Sequence, residues 1–184
     1  NIIEKSKKYI YIEIQYFMDY DLENVIIKRL KKAIKNKENF RIFIVIHTCH
    51  IYKKKQKDIR VGIYSVDRIR KSAKNIEKYL FCGELMYDDY KTIIHSKMVI
   101  IDDKILTLSA SNWIANNLIK GGNIELVIIF RDDPKISKIM NRIANENLNS
   151  NNEIFNYMLH FEKAKNNEGR YRKLNDNLKS FINE

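Results

Sequence analysis

Proline occurs once and glycine five times in 184 residues, which excludes a collagen-like chain or one dominated by flexible linkers. Cysteine is scarce too. Cys49 and Cys82 alone cannot form a disulfide framework, so the expected compartment is a reducing, intracellular one. Long apolar runs are missing: stretches such as residues 42–46 and 126–130 are strand-length, whereas a bilayer-spanning helix needs about 20 residues. The start of the chain has no secretory signal pattern. Negative charge is in deficit. The chain has 34 Lys+Arg against 23 Asp+Glu, a net charge of +11, which favours anionic partners: nucleic acid, phospholipid headgroups or phosphorylated small molecules.

What remains is ordinary core-forming material, 45% hydrophobic and 31% charged, at a length that fits one domain. Basic residues concentrate at 28–37, 53–57 and 68–78. Such runs usually solvate helix and loop surfaces, and basicity alone does not choose between a lipid surface and a nucleic acid. The first residue is Asn1, not Met, and an apolar pattern starts almost at once. The expectation is a piece of a longer polypeptide.

Along the chain, residues 9–12 are rich in β-formers and predict a strand. Asp19 to Asp21 offer an N-cap, after which Leu22, Val25, Ile26, Leu30, Ala33 and Ile34 recur at helical spacing to about Lys37. Residues 40–47 read as a strand buried on both faces, and 48–62 as a basic loop. Val66, Ile69, Ala73, Ile76 and Leu80 predict a helix. Strands are expected over 93–101, 105–108 and 123–130, the first two joined by a turn at Asp102-Asp103-Lys104. Pro134 marks the start of a helix carrying Ile136, Ile139, Met140, Ile143 and Ala144. After Ser150 a helical tail is expected, frayed beyond about Asn166. Alternating strands and helices indicate a layered α/β/α domain, and the close strand pair around Asp102 makes its sheet mixed.

The chemistry concentrates in His95-Ser96-Lys97, Asp102, Ser109 to Asn112 and Glu125. On a strand, His95 and Lys97 point to one face. A lysine on an apolar face needs a partner, and an anion supplies one. With a phosphate there, Lys97 neutralises an oxygen while His95 attacks phosphorus or passes a proton to the leaving group. Asn112 is placed to donate its amide to the same phosphate. Glu125 is placed to accept the other imidazole N–H and fix the tautomer. Asp102 has the opposite parity, and its expected duty is to close the turn by bonding to backbone.

The pattern His95-x-Lys97-x4-Asp102 resembles the HKD motif of the phospholipase D superfamily. Ser109 to Asn112 occupies the place of that family's Gly-Ser-x-Asn, with Ser109 for the glycine and Ala110 for the serine. Glu125 falls 30 residues past the histidine, the interval of the second motif in eukaryotic-type enzymes. YIYIEIQYF (9–17) is similar to the YIYIENQYF that precedes that motif, with Ile14 in place of the asparagine, and NFRIFIVI (39–46) matches a strand before it. The resemblance spans about residues 2–130. It implies that residues 1–150 are the C-terminal catalytic half and 151–184 a helical extension. It further implies two HKD motifs at one site, a phosphohistidine intermediate and no metal or other cofactor. It assigns His95, Lys97, Asp102 and Glu125 to the catalytic set, His95 as general acid/base oriented by Glu125. It assigns Lys97, Asn112 and Ser111 to phosphate.

Only one such motif is present, since no other His-x-Lys occurs. The partner motif is therefore expected upstream in the same protein or on a homodimer mate. The leading expectation is a phospholipase D acting on phospholipids such as phosphatidylcholine, cytoplasmic with peripheral contact to anionic membranes, there through Lys53 to Lys57. The alternatives are a single-motif homodimeric nuclease or a non-catalytic relative that binds membranes. His47-Thr48-Cys49-His50 lacks a second ligand cluster for zinc. Tyr11, Tyr87 and Tyr90 read as packing residues rather than stacking platforms for bases.

Overall fold

A computed structural model describes residues 1–47, 56–87, 90–91, 93–114, 125–151 and 154–174, with backbone alone at 56–61, 90–91 and 114. A short helix α1 (Ile2–Lys5) leads into β1 (Tyr9–Ile14) and the brief β2 (Phe17–Met18). Asp19 caps α2 (Tyr20–Asn36) by accepting from the Leu22 amide, as its type and position demand. β3 (Arg41–Ile46) and α3 (Gln56–Arg70) follow, then a 3-10 turn at Ile76–Lys78. β4 (Leu80–Tyr87), β5 (Tyr90–Lys91), β6 (Lys97–Ile101), β7 (Ile105–Ser109), β8 (Trp113–Ile114) and β9 (Val127–Arg131) complete the central run. The chain closes with α4 (Lys135–Leu148), α5 (Tyr157–Lys165) and β10 (Tyr171–Lys173).

The main sheet runs β10-β4-β3-β1-β6-β7-β9. β1, β3 and β4 are parallel neighbours, while β6, β7, β9 and β10 join antiparallel, so the sheet is mixed. One face, with Ile10, Ile12, Ile14, Ile42, Ile44 and Val99, packs under Ile26, Leu30 and Ala33 of α2 and Ile63, Val66 and Ile69 of α3. The other, with Tyr9, Tyr11, Phe43 and Ile100, packs under Ile136, Met140 and Ala144 of α4 and Phe161 and Ala164 of α5. This is the expected α/β/α layering. β1 and β3 are buried on both faces, the condition of parallel strands covered by helices.

Three expectations need correction. The basic loop 48–62 is helical from Gln56, the start of α3, and residues 48–55 lie outside the described residues. The helix expected through Leu80 ends at Arg70, and Leu80 opens the buried strand β4 instead. Ala73, Ile76 and Leu80 match the helical period, but they belong to a turn, a 3-10 segment and a strand. The tail beyond Asn166 is not all frayed: Tyr171–Lys173 pairs with β4, Lys173 opposite Gly83.

At the far end of the sheet, Asp102 and Asp103 both take left-handed backbone, φ 56° and 61°, a conformation short polar side chains tolerate. The Asp102 carboxylate accepts from the amides of Lys7, Lys8 and Tyr9 at 2.6, 2.7 and 2.9 Å. The β6–β7 turn is thereby fastened to the start of β1.

Candidate active site

The site builds at the opposite end of β1. There Ile14 stands opposite Lys97, and β7 and β9 extend the row through Ser109 and Val127. Because side chains alternate, Lys97 shares a face with Ile14 and Val99 and emerges at the rim of that apolar layer. Its Nζ donates to Gln15 Oε1 at 3.2 Å and to the His95 carbonyl at 2.8 Å. Both acceptors are neutral, so the ammonium keeps its full charge for an anion. Burial pushes the Lys97 pKa down, and the Glu125 carboxylate acts against that shift.

Glu125 reaches this end through the β7–β9 ladder, which continues from Ser109 opposite Val127 to the Ala110 amide on the Leu126 carbonyl. Asn112 arrives from the loop after β7. Its Oδ1 accepts from the Tyr16 amide at 3.2 Å, and the next residue, Trp113, donates its amide to the Tyr16 carbonyl. The β2–β8 pair, Phe17 opposite Trp113, continues that seam. Lys97 thus bonds to Gln15 and Asn112 to the adjacent Tyr16 at the end of β1, with the charge of Glu125 acting on Lys97. The bond from the Tyr16 amide to Oδ1 fixes the orientation of the carboxamide plane.

His95 lies two residues before β6, its ring exposed and its carbonyl held by Lys97. The strand expected from residue 93 starts only at Lys97, so strand alternation does not set the direction of the imidazole. Asp102, also in the implied catalytic set, sits past the other end of β6, where its carboxylate is bound to three backbone amides, the turn-closing contact that strand parity indicates. Ser111 is buried, and its hydroxyl donates to the Asn112 carbonyl at 3.0 Å while its amide donates to Ser109 Oγ at 2.8 Å. That bond ties Ser111 to the loop that carries Asn112.

Two residues escaped sequence reasoning. Gln15 holds Lys97, and Glu13 accepts from Ser96 Oγ and Tyr11 OH. Both belong to YIYIEIQYF, and their polar character inside a strand-forming segment was the available signal. Ile14, at the asparagine position, is buried beside Lys97 and adds to its desolvation. Cys82 is buried and its thiol pushed up to about 12, which removes it as a nucleophile. Cys49 and His50 lie outside the described residues. So do Lys53 to Lys55, and Lys57 is described by its backbone alone. Tyr11 is buried, whereas Tyr87 is exposed under the Arg170 guanidinium.

Residues 1–148 match the family model described as "Cardiolipin synthase, PLD-like domain". "Phospholipase D A" of Dictyostelium discoideum is 28% identical over 191 residues, covering 88% of this chain, and the chain spans 15% of that relative's length. Among solved structures, the phospholipase D family member Nuc from Salmonella typhimurium aligns with a TM-score of 0.55 at 16% identity, over 94% of this chain and 87% of that one. NucT from Helicobacter pylori aligns with a TM-score of 0.49 at 21% identity, over 76% and 79%. The likeness to Nuc is one of fold. Among the described residues, no helix is long and apolar enough to cross a membrane.

Proposed function

Because the chain belongs to the phospholipase D-like superfamily, we propose that it supplies the second of two His-x-Lys motifs in a phosphodiesterase that hydrolyses or transfers the phosphatidyl group of phospholipids such as phosphatidylcholine. The observation that carries this reading is the setting of Lys97. Its ammonium is partly desolvated, held by two neutral oxygens and acted on by the Glu125 carboxylate. Such a group is preorganised for a phosphoryl oxygen and needs no reorganisation when charge develops there.

In the proposed sequence the histidine of the partner motif attacks phosphorus and the P–O bond to the headgroup alcohol breaks. His95 gives its proton to that leaving oxygen. It then takes a proton from water or a second alcohol, whose oxygen attacks the phosphohistidine and frees the partner histidine. Lys97 and Asn112 hold the non-bridging oxygens in both steps, and Glu125 orients the imidazole.

A site of this kind is incomplete with one histidine. β9 supports a partner half beside it: Val127, Ile128, Ile129 and Phe130 are all 41–49% exposed, on both faces of an edge strand. An apolar edge open on both sides is costly in a lone domain. The curated relative named as a phospholipase favours lipid over nucleic acid. Headgroup release from phosphatidylcholine vesicles by the full-length protein, with and without a primary alcohol, tests the reading. Release of headgroup, with phosphatidyl alcohol forming when the alcohol is present, is the expected result. Cleavage of DNA with the lipid left intact would replace the lipid reading by a nuclease.

A further inference from the structure

Ser96 stands between the two motif residues, yet its side chain serves the opposite face of the sheet. Glu13 pairs with Met98, so Ser96 is its diagonal neighbour across the strands, a distance polar side chains span. Ser96 Oγ donates to Glu13 Oε1, and Tyr11 OH donates to Glu13 Oε2 at 2.8 Å. Behind Tyr11 the chain continues into the core. Asn147 Nδ2 donates both to the Tyr11 hydroxyl and to that of Tyr171, at 3.4 and 3.2 Å. Tyr171 OH lies 2.7 Å from His160 Nε2 on α5. Tyr11, Tyr171, Asn147 and His160 are all buried.

The direction of the bonds follows from burial. Desolvation lowers the His160 pKa to about 3, so the ring is neutral and carries one proton. Its Nδ1 has no partner, and a buried N–H without an acceptor is rarer than an unmatched acceptor. The proton therefore sits on Nε2 and goes to the Tyr171 hydroxyl, while the Tyr11 hydroxyl proton goes to Glu13. Asn147 bridges the two hydroxyls from behind. The carboxylate's other oxygen takes the hydroxyl of the residue flanked by His95 and Lys97.

We propose that Glu13 is a positioning residue, which through Ser96 fixes the path of residues 95–97 and so the places of the His95 ring and the Lys97 ammonium, while the Tyr11–Asn147–Tyr171–His160 chain clamps it from behind. Residues 95 and 96 precede β6, so no strand ladder sets their path. The consequence for turnover rests on the phosphodiesterase reading; the consequence for local order does not.

The test compares the full-length protein with Ser96→Ala, Ser96→Thr, Glu13→Gln and the double variant Glu13→Gln/Ser96→Ala. Amide hydrogen exchange over residues 95–98 is expected to quicken by about tenfold or more in Ser96→Ala and Glu13→Gln, with the rest of the sheet unchanged. The double variant should add little to either single one, and Ser96→Thr should restore the parent rate. For phosphatidylcholine turnover, kcat is expected to drop about 10–100-fold, the usual cost of losing an outer-shell partner, with KM nearly constant. Unchanged exchange at 95–98, acceleration spread over the whole sheet, additive single variants, or no rescue by threonine would each overturn the proposal. A parent without turnover sinks the phospholipase reading and leaves the exchange arm to decide this one.

Discussion

Lys97 carries two opposing influences, and their balance is open to experiment. Desolvation favours the neutral amine, while the Glu125 carboxylate favours the ammonium. Replacing Glu125 by Gln removes only the second influence, so the lysine loses its proton at lower pH. The alkaline limb of the kcat/KM profile is then expected to shift to lower pH in Glu125→Gln, measured over a pH series with the full-length protein. A limb that stays in place or moves upward would contradict the assignment of Lys97 as the charged phosphate ligand. The motif residues were visible as residue types, because imidazole, ammonium, carboxamide and carboxylate within thirty positions are a chemical signature. Gln15 and Glu13 were not. Their importance lies in contacts to Lys97 and Ser96, 82 and 83 positions away in sequence, and no local period encodes that.

At the scale of elements, β1 and β6 are fixed at both ends by different chemistry. One end holds the proposed site; the other holds the Asp102 carboxylate on three amides of the chain entering β1. Asp102→Ala removes a charged acceptor and places alanine at φ 56°, a strained backbone for it. With two of the three donors exposed, the expected loss is about 2 kcal/mol, a fall in Tm of about 4–8 °C for a chain of this size. Lys97→Ala is expected to do the reverse, abolishing turnover while Tm holds. A thermal melt alongside the turnover assay separates the two, and an Asp102→Ala protein that melts like the parent would remove Asp102 from its structural role. Elements with strong periods were legible: β1, α2, β3 and α4 stand close to where the pattern puts them. β4 was not, because its Leu80 continues a spurious helical spacing from Val66. β10 was not either. Three residues acquire strand structure only by pairing with β4.

For the whole molecule, two features stand out: the proposed site at the end of β1 and the open apolar edge strand β9. The described residues bring one lysine and one carboxamide to the end of β1, where the charge of one carboxylate acts on the lysine, with one histidine at the rim, and β9 exposes apolar side chains on both faces. The layered architecture and its mixed sheet were legible from the alternation of elements, whereas the expectation of a second histidine came from the family resemblance alone. What would supply that histidine was not legible, since one chain encodes only its own side of an interface. The most direct test of the account is the rate of phosphatidylcholine headgroup release by the full-length protein in excess EDTA, with and without the His95→Ala substitution. The account predicts that the parent turns over in the chelator and that the variant falls by at least about 10³-fold, within the range general acid–base catalysis supplies. Equal rates for parent and variant would contradict it.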